Sequence, residues 1–422
     1  YLAAFVVCLS LSVPLAGLAR HLPSAGGLYT YISAGIGPKS GFMTGWLYAI
    51  MAAIVPAALA AFTGDILEKE LTLKLGLHVA WWAYALVILA ICVVCAYRGL
   101  EISMRVMIFM CIFEMLVGLG LAVTGLIHPG PGGLNFAGFN PVHVSGSSGF
   151  FIAVVLSIFA FTGFESAATI GEESRDPQRI IPKAIIGSLV LIGGFYVFCA
   201  WGLQIGWGTD NLKALADSEA APAFVLADRL WNGASFIVLI ALVNSGLSVC
   251  IACTTSATRT LYGMAKTGAL PAVLAQVHLV RRTPHAAVIL QTVIALVAVI
   301  GGGYALGPND LFNVLGTAGT FVYIPIFIMM NIAAYRFFKQ HHPSEFSVLA
   351  HVVLPIFSTV ALLTIAYFSL NPLPAYPIVL APLIAIGYLV VGLVILFGRN
   401  LKPANAGWMK KAGQIPQLAQ HT

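Results

Sequence analysis

Charge is what this chain has least of. Asp, Glu, Lys and Arg make up 9% of its 422 residues, where an ordinary globular chain carries about 25%. With 59% hydrophobic residues and a mean hydropathy of +0.94, that scarcity excludes a single soluble core. Weak alternation and a Leu/Ala/Gly-rich make-up argue against a membrane β-barrel, whose strands repeat with a period of two. No HExxH, P-loop or GxSxG pattern occurs, so the chain offers no zinc-protease helix, nucleotide cradle or serine-hydrolase elbow. No Ser–His or twin-Asp pair sits inside an apolar run, which leaves an intramembrane enzyme as the least supported class. Cys8, Cys92, Cys95, Cys111, Cys199, Cys250 and Cys253 all lie in apolar runs. Two pairs have CxxC spacing, but buried helical cysteine behaves mostly as a small hydrophobe. His341-His342 has no cysteine or acid partner at metal spacing, so neither a metal nor a cofactor is expected. An initiating Met and leading polar residues are absent as well: Tyr1 already stands in an apolar run.

What is present is a series of apolar runs. Eleven are expected to span a membrane: 1–19, 41–63, 80–97, 106–127, 149–171, 184–206, 233–258, 285–303, 311–335, 350–370 and 376–397. A hydrocarbon core of about 30 Å takes roughly 20 helical residues. The expectation is an all-α polytopic protein in a lipid bilayer, with one transmembrane domain at 1–398 and a polar tail at 399–422. Seventeen of the 21 Lys and Arg residues fall in one set of loops and the tail. The positive-inside rule puts that set, and the C-terminus, in the cytoplasm. The net charge of +6 then reflects topology, and no nucleic-acid partner is expected. An odd number of spans leaves Tyr1 outside. Either a helix upstream of Tyr1 is missing, or a signal peptide has been removed. The sequence sets no oligomeric state.

One span departs from the others. Phe150 to Ala184 reads FFIAVVLSIFAFTGFESAATIGEESRDPQRIIPKA. The pair Thr162-Gly163 is weakly helical, and an acid, Glu165, follows before the span ends. Backbone that unwinds in a bilayer survives only where it lines a protein cavity. A charged side chain at that depth costs roughly 2.5–3.5 kcal/mol on insertion scales. Together these features mark a site near the bilayer midplane, of the kind that transporters build from discontinuous helices.

The segments ARHLPSAGGLYTYISAGIGPKSGFMTGW (19–46), FAFTGFESAATIGEESRDPQRIIPKAI (159–185) and SATRTLYGMAKTGALP (256–271) resemble, in order and separation, parts of the amino acid–polyamine–organocation (APC) superfamily. The resemblance covers nearly the whole chain and matches the runs to family helices two to twelve. It implies the LeuT-like fold, a five-plus-five inverted repeat plus two further helices, with 11 of the usual 12 spans present.

By that resemblance, Phe159, Ala160, Phe161, Thr162 and Gly163 line the substrate pocket, with Phe159 in the place of a gating aromatic. The alternative is that the FAF stretch is core or lipid-facing surface. Free backbone N–H groups below the break suit a substrate carboxylate, and carbonyls above it suit an ammonium. The substrate expected is therefore a zwitterionic amino acid, carried by proton-coupled alternating access. Glu165 is the first candidate for proton coupling or gating, against a structural buried carboxyl. Glu114 is the second, standing where some relatives have a lysine, against a simple cross-helix partner. Ser245, Ser248, Gly316 and Thr317 lie in helices that face the site in relatives, though small residues also permit close helix packing. Pro56 is expected to bend a helix that borders the pocket. The 172–183 loop, with Glu172, Glu173, Arg175, Asp176, Arg179 and Lys183, is either a gate-linked ion-pair network or a solvated loop. Sodium is the alternative coupling ion. A polyamine or organic-cation carrier of the same fold, or a truncated non-transporting product, are the alternative functions.

Overall fold

The structure, a computed structural model, describes residues 1–24, 26–98, 103–140, 147–211, 222–278 and 283–400. The described residues form helices joined by short loops, with no strand among them. In chain order the helices are α1 Leu2–His21, α2 Leu28–Gly35, α3 Pro38–Leu75, α4 Trp81–Arg98, α5 Ser103–Ile127, α6 Ser147–Phe161, α7 Pro177–Trp207, α8 Pro222–Leu230, α9 Ser235–Lys266, α10 His285–Leu306, α11 Pro308–His341, α12 Leu349–Leu370 and α13 Leu380–Asn400. Ten segments among the described residues are long and apolar enough to cross a membrane. The expected run at 80–97 corresponds to α4, whose apolar stretch Trp81–Tyr97 is shorter than those ten. Most of the tail expected at 399–422, from 401 onward, lies outside the described residues.

Several helices outrun the apolar stretches that announced them. α3 has 38 residues, about 57 Å at 1.5 Å per residue, and carries Asp65, Glu68, Lys69, Glu70 and Lys74 in its last turns. Those charges hold each other: Lys69 pairs with Asp65 at 2.8 Å, and Lys74 reaches Asp228 of α8 at 3.1 Å. α3 ends on Gly76, whose left-handed φ of +66° lets the last carbonyls bond back onto the chain. Pro56 does not break α3, which runs through it without interruption. The short helices α2 and α8 carry no transmembrane-length apolar run and were not foreseen.

Burial separates a centre from a periphery. In the apolar windows of α3 and α11, 72% of residues are buried inside the protein. In α5, α7, α9, α12 and α13 only 22–28% are buried, as in helices facing lipid. Polar side chains fasten the centre to the rim. Asn331 of α11 donates to the Pro355 carbonyl and to the Ser358 and Thr359 hydroxyls of α12 at 2.9–3.1 Å. Trp46 of α3 and Tyr388 of α13 stack at 5.0 Å, and each donates to the other's carbonyl. Such bonds matter in lipid, where apolar burial alone does not draw helices together.

Candidate functional site at a broken helix

α6 stops at Phe161, in the middle of the apolar segment Gly149–Thr169. The stop is written in two residues. The Thr162 hydroxyl turns back to the Phe159 carbonyl at 2.6 Å, competing with the helix for that acceptor. Gly163 then takes φ +115°, a backbone conformation that side chains disfavour. A Cβ at Gly163 would meet nothing within 4 Å, so glycine is needed here for conformation and not for space. The chain continues from Phe164 to Glu173 as a 3₁₀ helix.

The polar groups at the break are less open than the sequence led us to expect. The Gly163 N–H donates to Glu165 Oε2 at 2.9 Å, so the chain's own carboxylate takes this donor. The Gly163 carbonyl accepts from Ser166 Oγ at 2.5 Å, and the Ala160 carbonyl from the Tyr196 hydroxyl at 3.3 Å. Glu165 is fully enclosed, at 1% exposure. Its second oxygen, Oε1, accepts from the Tyr323 hydroxyl of α11 at 2.9 Å. Tyr48 of α3 packs edge-on against Tyr323 at 6.2 Å. One carboxylate therefore ties the broken helix to α11, at the heart of the bundle.

The two phenylalanines of the FAF stretch face different walls. Phe159 lies against Gly316 and Gly319 of α11 and is edge-on to Phe312 at 6.2 Å. Phe161 stacks on Phe5 of α1 at 6.0 Å and is edge-on to Tyr196 of α7 at 5.3 Å. Gly316 is thus brought to the break, and a Cβ there would stand 3.1 Å from the Phe159 ring. Its neighbour Thr317 is buried with an unpartnered hydroxyl. Thr320 fixes α11 to α6 by donating to the Val155 carbonyl at 3.0 Å.

Ser245 and Glu114 form a second cluster. Asn244 Nδ2 donates to Glu114 Oε2 at 3.0 Å and to the Met110 carbonyl at 3.1 Å, and Ser245 is a further partner of the same carboxylate. Glu114 therefore has the cross-helix partners that a packing role requires. Ser248 is half-buried further along α9. Tyr196 of α7 reaches the break through its hydroxyl, which donates to the Ala160 carbonyl. Arg175, Asp176, Arg179 and Lys183 are exposed and form no ion pair with one another; the segment expected as a loop is mostly helical, because α7 starts at Pro177 with Asp176 at its N-cap and already contains Arg179 and Lys183. The side chains of Glu172 and Glu173, named with them, lie outside the described ones. A hollow between α7 and α8 and another beside Phe5 are lined by neither Phe159–Gly163 nor Glu165.

A model of the amino acid permease family matches residues 1–401. The chain belongs to the amino acid permease family. It therefore belongs to the APC superfamily of permeases and is a multi-pass membrane protein. Relatives include the low-affinity putrescine importer PlaP of Escherichia coli strain K12, 26% identical over 310 residues, which cover 71% of this chain and 66% of the importer. The branched-chain amino acid permease BcaP of Bacillus subtilis strain 168 is 26% identical over 350 residues, 79% of this chain and 71% of that protein. The glutamate/serine transporter AimA of the same organism is 27% identical over 318 residues, 69% of this chain and 57% of that protein. The chain thus spans less than two thirds of the importer and of the glutamate/serine transporter.

Tyr323, Tyr196, Phe312 and Asn244 were missed from sequence. Tyr323 was within reach of a periodicity argument: Gly316, Gly319, Thr320, Tyr323 and Phe327 fall at helical spacing on one face of α11.

Proposed function

We propose that the permease carries a zwitterionic amino acid through its membrane by alternating access, with proton uptake at Glu165 coupled to opening of the broken helix. The observation that carries this reading is the double role of one buried carboxylate, which accepts from the Gly163 N–H at the break and from Tyr323 across the bundle. Ionised, Glu165 accepts both bonds. A proton on Oε2 would point at the Gly163 N–H, and that bond is lost. The freed N–H then meets a substrate carboxylate, and carbonyls above the break meet the substrate ammonium. Proton and substrate enter the site together, which makes the cycle a symport. The family's five-plus-five repeat, the eleven spans and a cytoplasmic C-terminus belong to the same reading, supported by the break itself and by the asymmetry of basic residues.

In proteoliposomes, addition of substrate without sodium should acidify the lumen. Glu165→Gln should abolish proton-driven accumulation while leaving substrate exchange. Strict sodium dependence would refute the proton reading and install sodium as the coupling ion. A second reading, a polyamine carrier, is favoured by the putrescine importer among the relatives. A diamine has no carboxylate and wants several acids, and Glu114 and Glu165 sit in separate clusters, which supports the amino acid.

A further inference from the structure

A histidine cluster closes the end of the bundle where α1 and α11 terminate. His21 is the last residue of α1, His342 follows α11, and a 3₁₀ turn at Pro343–Glu345 swings Glu345 back over both. The nearest ligand atoms of His21, His342 and Glu345 all lie within 4.8 Å of one another. His21 and His342 stand with ring centroids 4.3 Å apart. The chain segments that bring them together are 321 residues apart in sequence, from 21 to 342, which is why His341-His342 looked isolated in the sequence.

Hydrogen bonding fixes the His21 ring. Nδ1 faces the Gly17 carbonyl at 3.0 Å, and a carbonyl only accepts, so Nδ1 carries the hydrogen. In the neutral imidazole, Nε2 then presents a lone pair to Glu345 Oε1 at 3.3 Å, which is also an acceptor. Two acceptors face one another, and a positive charge belongs between them. Either a second proton on His21 or a cation supplies it. Phe338 lies edge-on to His21 at 5.2 Å and Phe337 flanks His342 at 5.2 Å, so both rings are braced by aromatic neighbours.

We propose that His21, His342 and Glu345 form a site for a divalent transition-metal ion of the zinc class, with water completing a tetrahedron. Tetrahedral zinc holds nitrogen and carboxylate oxygen at about 2.0–2.2 Å, which places neighbouring ligand atoms about 3.3–3.6 Å apart. The His21–Glu345 pair already has that spacing. Glu345, with 42% of its side chain exposed, has room to close the remaining distance by side-chain rotation. A ligand histidine that donates its other N–H to a backbone carbonyl is the usual support of such sites, and Gly17 supplies it here. Two imidazoles and one carboxylate suit zinc, copper or nickel. Calcium and magnesium take oxygen ligands and fit poorly. Arg20 binds the other carboxylate oxygen, Oε2, at 3.5 Å, so it competes for Glu345's charge without covering Oε1. A bound ion would pin the end of α1 to the α11–α12 link.

The test is a cobalt titration of the full chain in nanodiscs, read by d–d absorption. The expected result is tetrahedral-intensity absorption saturating at one cobalt per chain, displaced by one equivalent of zinc and unaffected by magnesium. His342→Ala and Glu345→Gln should each weaken binding by at least about tenfold, since losing even a supporting partner of a ligand costs 10–100-fold. Glu345 is exposed enough that its variant folds, and a melting curve for each variant confirms this. Unchanged affinity in either variant overturns the site. So does an absence of saturable absorption, which would leave a histidine–carboxylate ion pair, or a sulfur charge-transfer band, which would place the ion on the buried cysteines.

Discussion

Gly163→Ala isolates the element on which the broken helix depends. At φ +115° an L side chain is strained, and residues held in such regions cost about 1–3 kcal/mol. No contact contributes, because an added Cβ would meet open space within 4 Å. Gly187 of α7 is the matched control: a Cβ there also meets nothing within 4 Å, but the residue has ordinary helical backbone. Alanine at 187 should stabilise by roughly 0.5–1 kcal/mol, since helical glycine is the more costly residue. The two variants should therefore differ by about 1.5–4 kcal/mol in opposite directions from wild type. Thermal melting in detergent reads the difference. Uptake in proteoliposomes should fall in Gly163→Ala, because a strain of 1–3 kcal/mol lowers the population of the broken conformation about 5–150-fold. Gly187→Ala should transport normally. Equal melting temperatures and equal uptake would refute the claim that the backbone at 163 makes the site.

Other perturbations follow from the same geometry. Gly316→Ala puts a methyl 3.1 Å from the Phe159 ring; overpacking of this kind costs about 1–3 kcal/mol, and substrate KM should rise while the protein still folds. Glu114→Gln keeps an oxygen for Asn244, so its melting temperature should barely move; a flattened pH profile of uptake is the outcome expected of a coupling group, and an unchanged profile confines Glu114 to packing. Asn331→Ala removes the donor shared among three groups of α12; cross-helix hydrogen bonds in membranes are worth about 0.6–1.7 kcal/mol, and the melting curve should shift down accordingly.

How much of this was legible depended on the physics each residue obeys. Apolar runs are dictated by the bilayer, so the helices were placed closely, and α6 was located together with its break at Thr162-Gly163. Helix ends beyond the hydrocarbon obey capping and ion pairing instead, which is why α3 continues to Leu75 past its expected end at 63. The 3₁₀ form of Phe164–Glu173 was not readable, because Ser166 and Glu165 choose it by bonding Gly163. At the site, Glu165 was visible as an acid out of place, but its partner Tyr323 lies 158 residues away. Phe159 and Phe161, two apart on α6, were expected to share a pocket. A helix turns about 100° per residue, so side chains two apart face different neighbours, and these two reach α11 and α1 respectively.

The central claim is that the break receives both ends of a zwitterion. Thermal shift of the purified permease against a panel of amino acids finds the ligands, since binding to the folded state raises the melting temperature. Each hit is then compared with its decarboxylated amine and its deaminated acid. The account predicts stabilisation by the intact amino acid and by neither analogue. Equal stabilisation by the decarboxylated amine would contradict it, because no carboxylate would then be needed at Gly163.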